Sequence, residues 1–201
     1  MEGTDPVNKK LGAALSGGAV LVLALSGCTS DKGNEELNAW AKKVCVSVPA
    51  QNAKITAAYA AITKAAKDTT STPAELQKTD SQAFQDLADG YKARATVISN
   101  AGAPPGVEDG AKKQQDAVKQ LTTLSSAYAD LKQQVDKLDT KDQAKFATGL
   151  KDVSTQMEKV ETQRKTAFAA LRDLEKGDIK KALAEQSGCK QVTASAPATK
   201  S

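Results

Sequence analysis

Apolar residues recur along most of this chain at alternating steps of four and three, the spacing that lines one face of an α-helix. Asn34 is placed to cap a first helix in which Leu37, Trp40 (or Ala41) and Val44 share a face. Pro49 interrupts it, so the helix ends or kinks near Val48 and resumes through "QNAKITAAYAAITKAAK", with Ile55, Tyr59, Ile62 and Ala66 at the same steps. "DTTSTP" breaks the chain. Thr72, Pro73 and Glu75 then form a capping box with proline at the first helical position. Thr79 and Gln82 repeat that cue, which predicts a short turn ahead of a main second helix with the stripe Phe84, Leu87, Tyr91 and Ile98. "AGAPPG" at 101–106, with two glycines and two prolines, is the strongest punctuation in the sequence. A third helix follows with Ala117, Leu121, Leu124, Tyr128, Leu131, Val135 and Leu138 in register. After the turn "DTKDQ", where Thr140 and Gln143 form another capping box, a fourth helix presents Phe146, Leu150, Val153, Met157, Val160, Arg164, Ala167, Leu171 and Leu174. Only Arg164 breaks that stripe. Gly177 suits a helix C-terminal position, and Asp178 is placed to cap a last short helix, "IKKALAEQ", that stops by Gly188.

Long amphipathic helices joined by tight turns predict an all-α chain, an elongated up-and-down four-helix bundle with a short C-terminal helix. An extended coiled-coil hairpin is the alternative. At 1.5 Å per residue such helices are on the order of 40–50 Å long. The expected divisions are a targeting segment at 1–27, an acylated Cys28 with a flexible tether to residue 33, the bundle at 34–189, and a tail at 190–201 with nothing to bury. Composition agrees with the class. Hydrophobic residues make up 40% of the 201 residues but aromatics only 3%, so the apolar content is mostly the small and medium side chains that let helices pack closely. The net charge of +4 is spread, with Lys alternating with Asp and Glu along nearly every segment. Nucleic-acid binders gather positive charge into a stripe or arm, so a solvated surface is expected here and no nucleic-acid partner.

The beginning of the chain says where it resides. "VNKK" supplies two lysines, and 17 uncharged residues from Leu11 to Gly27 follow before Cys28, the layout of a secretory signal peptide. Spanning a bilayer takes about 20 mostly apolar residues, whereas this run is shorter and holds Gly12, Ser16, Gly17, Gly18, Ser26 and Gly27. Initiation at Met1 or at Val7 gives the same mature chain. Leu25, Ser26, Gly27 and Cys28 resemble the bacterial lipobox, an aliphatic residue and two small ones before the acylated cysteine. That resemblance implies a diacylglycerol thioether on Cys28, which becomes the first mature residue. At about 0.8 kcal/mol per buried methylene, two or more acyl chains give stable anchoring. Removing residues 1–27 takes away Glu2, Asp5, Lys9 and Lys10 together, leaving the net charge unchanged. The signal segment, "NAWAKKVC", "KTDSQAFQDLADGYKA", "AGAPP", "DTKDQAKFATGLKD" and the terminal "GCK" are similar to the small secreted lipoproteins of streptomycete-type actinobacteria. The resemblance implies a location on the outer face of the cytoplasmic membrane and transfers no catalytic or binding residues; shedding to the medium is an alternative fate.

Candidate chemistry is sparse. The chain has no histidine, which removes the commonest general acid–base group and the commonest transition-metal ligand. Cys45 and Cys189 remain after Cys28 is acylated, an even pair in an exported chain, and a disulfide between them is expected, with free or intermolecular thiols as the alternative. It would close a loop of roughly 145 residues and add at most about 5 kcal/mol in the chain-entropy account. Tyr59, Tyr91 and Tyr128 each lie on the inward stripe of a different helix. They read either as core filler with hydroxyls at the edge, or as the lining of a cavity for an apolar ligand or phenolate ligands to a haem. Arg164 reads as a side chain snorkelling past the core edge or as part of a polar layer in that cavity. Asp136, Asp139 and Asp142 straddle a turn without the spaced oxygen ligands and glycine of a calcium loop. No P-loop, dinucleotide fingerprint, Gly-x-Ser-x-Gly elbow or Cys-x-x-Cys occurs. No metal or cofactor is expected and no enzyme. The expected role is a non-catalytic binding or structural module, held to the membrane by its lipid and meeting an envelope protein or cell-wall partner. The alternative is a carrier of a small apolar ligand within the bundle.

Overall fold

The computed structural model describes residues 29–190, which form six α-helices and no strand. They are α1 (Thr29–Cys45), α2 (Val48–Ala65), α3 (Pro73–Ala101), α4 (Gly110–Asp136), α5 (Gln143–Leu174) and α6 (Asp178–Glu185). The all-α bundle expected from the periodicity is the fold observed. Its first long helix is divided in two, α1 and α2, at Val46 and Ser47, because Pro49 fits only the first turn of a new helix, where its missing N–H costs nothing. Packing runs in chain order, α2 on α3, α3 on α4 and α4 on α5, while α1 lies against α3 and α6. The remaining edge, α2 against α5, has no comparable helix packing.

The boundaries differ from expectation at four places. α1 begins at Thr29 and not at Asn34, so the segment 29–33 expected as a tether is helical. The second cue, Thr79 with Gln82, marks no turn: α3 is continuous from the real capping box, in which Thr72 Oγ1 accepts from the Glu75 N–H at 3.3 Å and Glu75 Oε2 accepts from the Thr72 N–H at 2.8 Å. α5 is capped by Asp142 and not by Thr140, its carboxylate accepting from the N–H groups of Ala144 and Lys145, both at 3.1 Å. α6 has Gly177 at its N-cap with φ 62°, which leaves Asp178 inside the first turn, paired with Lys181. The tail expected at 190–201 lies outside the described residues beyond Lys190.

The core is continuous through all six helices. The expected stripes of α1, α3 and α4 are buried, except for Leu138, which lies two residues past the end of α4 and is half-buried. On α2 the buried face is Val48, Gln51, Ile55 and Ala58, rotated from the expected one, so that Tyr59 and Ile62 are half-buried and Ala66 is exposed. On α5, Leu150, Met157 and Arg164, seven residues apart, are half-buried while Val153, Val160 and Ala167 are buried. Both shifts follow from the open α2–α5 edge. α2 and α3 approach closely where Gly90 lies against the Ile55 side chain without room for a Cβ. Backbone groups in the core are satisfied by long-range bonds: Ser125 Oγ donates to the Ala88 carbonyl at 2.7 Å, and Gln77 Nε2 donates to the Val135 and Leu138 carbonyls at the C-terminus of α4.

Candidate functional site

The three tyrosines, predicted on separate helices, meet. Tyr59 of α2 places its hydroxyl 2.5 Å from that of Tyr128 on α4 and 3.2 Å from that of Tyr91 on α3. Tyr91 and Tyr128 are fully buried and stack at 5.7 Å between ring centroids, and Phe84 also stacks on Tyr128, at 6.3 Å. Tyr59 meets Tyr128 edge-on. Arg164 of α5 completes the group. Its guanidinium carbon lies 5.9 Å from the Tyr59 ring centroid and 5.5 Å from that of Phe168, so α2 and α5 are bridged by a cation on two aromatic faces. Glu161, one turn earlier, grips the guanidinium from its own helix, accepting from Nε and from one terminal nitrogen at 2.6 Å each. Arg164 therefore does snorkel, with a side chain 34% exposed, and also forms part of a polar layer.

Electrostatics fix the charge states. Burial first, then the neighbouring phenols, raise Tyr59 and Tyr91 far above the ordinary tyrosine value, and burial pushes Tyr128 up to about 12. The hydrogen bonds that Arg164 donates to Glu161 raise Arg164, and the same bonds hold Glu161 below the usual carboxylate range. At neutral pH the layer consists of three neutral phenols and one ion pair. Phenolate ligation of a haem iron is correspondingly disfavoured, since it would need one of these protons to leave.

Glu161 and Phe168 were not singled out in the sequence, although they stand three residues before and four after Arg164, the spacings at which helix side chains meet. A second polar link, also unanticipated, ties α3 to α2, with Arg94 donating to Asn52 Oδ1 at 2.5 Å. Desolvation lowers Arg94 while the charge of Glu175 opposes that shift.

Two surface depressions lie elsewhere. One, of about 430 Å³, opens at the start of α5 between Asp142 and Asp152, and the other, of about 250 Å³, lies beside Trp40 and Pro105. Neither includes a tyrosine of the trio. Cys45 and Cys189 are bonded, with S–S 1.94 Å and Cα atoms 5.2 Å apart, joining the end of α1 to the segment after α6. Cys28 lies outside the described residues. Among the described residues no three His, Cys, Asp or Glu side chains group to hold a metal ion, and no helix is long and apolar enough to cross a membrane. Helical bundle with a disulfide-closed end is thus the class that fold and site define. No known protein family, no curated protein and no solved structure matches the chain.

Proposed function

We propose that this chain is a lipid-anchored lipoprotein on the outer face of the cytoplasmic membrane, akin to small secreted actinobacterial lipoproteins, and a non-catalytic binding or structural module of the envelope. The observation that carries the reading is Leu25-Ser26-Gly27-Cys28 placed immediately before the helical body, which opens at Thr29. An acyl group on Cys28 would then sit at the head of α1, so that helix ties the body closely to the bilayer surface. The Cys45–Cys189 bond suits an oxidising compartment outside the cytoplasm. A binding role is supported by outer faces laced with short-range ion pairs, such as Lys54 with Asp86, Lys132 with Asp136 and Lys176 with Asp173, which present both signs of charge to a protein or cell-wall partner. The protonated phenols of the central layer offer no base for catalysis near neutral pH.

The test is a Cys28→Ser variant of the full chain in a bacterium with lipoprotein processing. A fatty-acid probe should label the wild-type chain and not the variant, and the variant should leave the membrane fraction. Retention of the variant on the membrane with residues 1–27 still attached would show a spanning segment in place of a lipid.

A further inference from the structure

Three phenolic protons share only two oxygen–oxygen contacts, Tyr91 with Tyr59 and Tyr59 with Tyr128. Each contact uses one proton, so one proton has no acceptor within the trio. Its position follows from burial. Tyr91 and Tyr128 are fully enclosed and their hydroxyls have no other hydrogen-bond partner among the described residues, so a spare proton on either would be an unsatisfied donor inside the core, costing about 1–3 kcal/mol. The arrangement without that penalty has both buried phenols donating to the Tyr59 oxygen, whose two lone pairs accept them. The spare proton then belongs to Tyr59, the half-buried member, at the edge where α2 and α5 are not packed together. A second group there has donors to spare. Arg164 spends Nε and Nη2 on Glu161, which leaves Nη1 without a hydrogen-bond partner among the described residues.

Two donors of different kinds thus stand at one seam, on α2 and α5, with no acceptor supplied among the described residues. The surroundings are apolar: Ile62 lies one turn from Tyr59 on α2, Met157 two turns from Arg164 on α5, and Phe168 beneath the guanidinium, all half-buried. We propose that the α2–α5 seam at Tyr59 and Arg164 binds an amphiphile with an anionic oxygen head and an apolar chain. One head oxygen accepts from Tyr59 and another from Arg164 Nη1, while the chain covers Ile62, Met157 and Phe168. An ionised head fits better than a neutral one, because hydrogen bonds to a charged acceptor are roughly twice as strong and a carboxylate offers two oxygens side by side. Ion pairing of Arg164 with Glu161 leaves the seam near neutral, so selectivity comes from the two directed donors and not from net charge. This site is independent of the lipid anchor and places the ligand on the side of the bundle, where no interior void is required.

All three tyrosines of the chain belong to this layer, whereas the single tryptophan, Trp40, is bonded to Gly102 on α1's side of the molecule. Tyrosine difference absorbance therefore reads the site and tryptophan fluorescence serves as a control. The full chain is titrated with dodecanoate, dodecanol and dodecyltrimethylammonium below their micelle concentrations. Dodecanoate should bind one to one with a tyrosine difference spectrum, at least about tenfold more tightly than the other two, the loss expected for a charge-assisted bond. Arg164→Gln and Tyr59→Phe should each weaken dodecanoate by a similar factor while leaving the far-UV helical spectrum unchanged; if one variant unfolds, the other carries the comparison. Equal affinity for dodecanol, binding that leaves the tyrosine spectrum still, unaltered affinity in a folded variant, or no binding at all would each overturn the proposal.

Discussion

Tyr59 is the residue on which the interior turns. Its hydroxyl is hydrogen-bonded to both buried phenols, and its ring supports the Arg164 cation that bridges α2 and α5. In a core made mostly of Ala, Leu and Val, this layer is where polar geometry is specified and not merely tolerated. Its pH dependence has a definite sign. A tyrosine is neutral when protonated, and all three have values in the fold above the roughly 10 of an unfolded chain. Their stabilising effect is therefore complete below pH 10 and is lost as pH rises toward the folded values, about 12 for Tyr128. Each phenol that ionises only on unfolding steepens that loss by about 1.4 kcal/mol per pH unit. In an alkaline titration followed by phenolate absorbance and circular dichroism together, no phenolate should appear until helicity falls, and then all three should appear at once. Reversible ionisation of one or more tyrosines near pH 10 with helicity intact would show that the layer is open to water.

At the level of elements, local chemistry was legible wherever one residue type satisfied one backbone need. Thr72, Pro73 and Glu75 could be read as a helix start because the reciprocal bonds require those residues at that spacing, and the structure makes both. The capping choice between Thr140 and Asp142 could not be settled so, since either oxygen can cap and only the packing of α5 decides which does. α2 was misjudged for a different reason. Its sequence is so rich in alanine that several faces are apolar, and the large Tyr59 and Ile62 drew the predicted stripe toward themselves. Burial instead follows Val48, Gln51, Ile55 and Ala58, the face turned to α3. That the tyrosines point inward was readable; that their hydroxyls meet depends on how far each helix slides along its neighbour. Two helix-borne glycines show the same dependence. A Cβ at Gly149 would meet only the tip of the Leu138 side chain, which can move aside, whereas a Cβ at Gly188 would strike the carbonyl and carbon of Cys45, which cannot. Gly149→Ala should leave the denaturation midpoint level or raise it, since alanine is favoured over glycine in a helix by about 1 kcal/mol. Gly188→Ala should lower it and slow formation of the disulfide. Equal effects would mean that the segment after α6 is not held against α1.

The molecule as a whole has two parts held by different means. α2 to α5 bury a shared core in consecutive pairs, while α1 and α6 pack chiefly on each other, with α1 reaching the rest through α3 and through the bond from Trp40 Nε1 to the Gly102 carbonyl at 2.8 Å. The disulfide links this smaller pair across 144 residues of chain, so its loss frees the denatured state by up to about 5 kcal/mol in the chain-entropy account. It also releases the one covalent tie between α1 and the end of α6. Were Cys28 acylated as proposed, a pull from the membrane would reach the body through α1, the element that this bond holds. The natural probes fall on opposite sides of the divide, Trp40 in α1 and the three tyrosines in the α2–α5 layer. With the bond intact, urea unfolding should give one transition by tryptophan fluorescence and by tyrosine near-UV dichroism alike. After reduction and alkylation the tryptophan transition should move to lower urea than the tyrosine transition, because α1 and α6 then detach while the four-helix layer persists. Coincident midpoints in the reduced chain would instead make all six helices one cooperative unit, with the disulfide adding stability to the whole and no special restraint to α1.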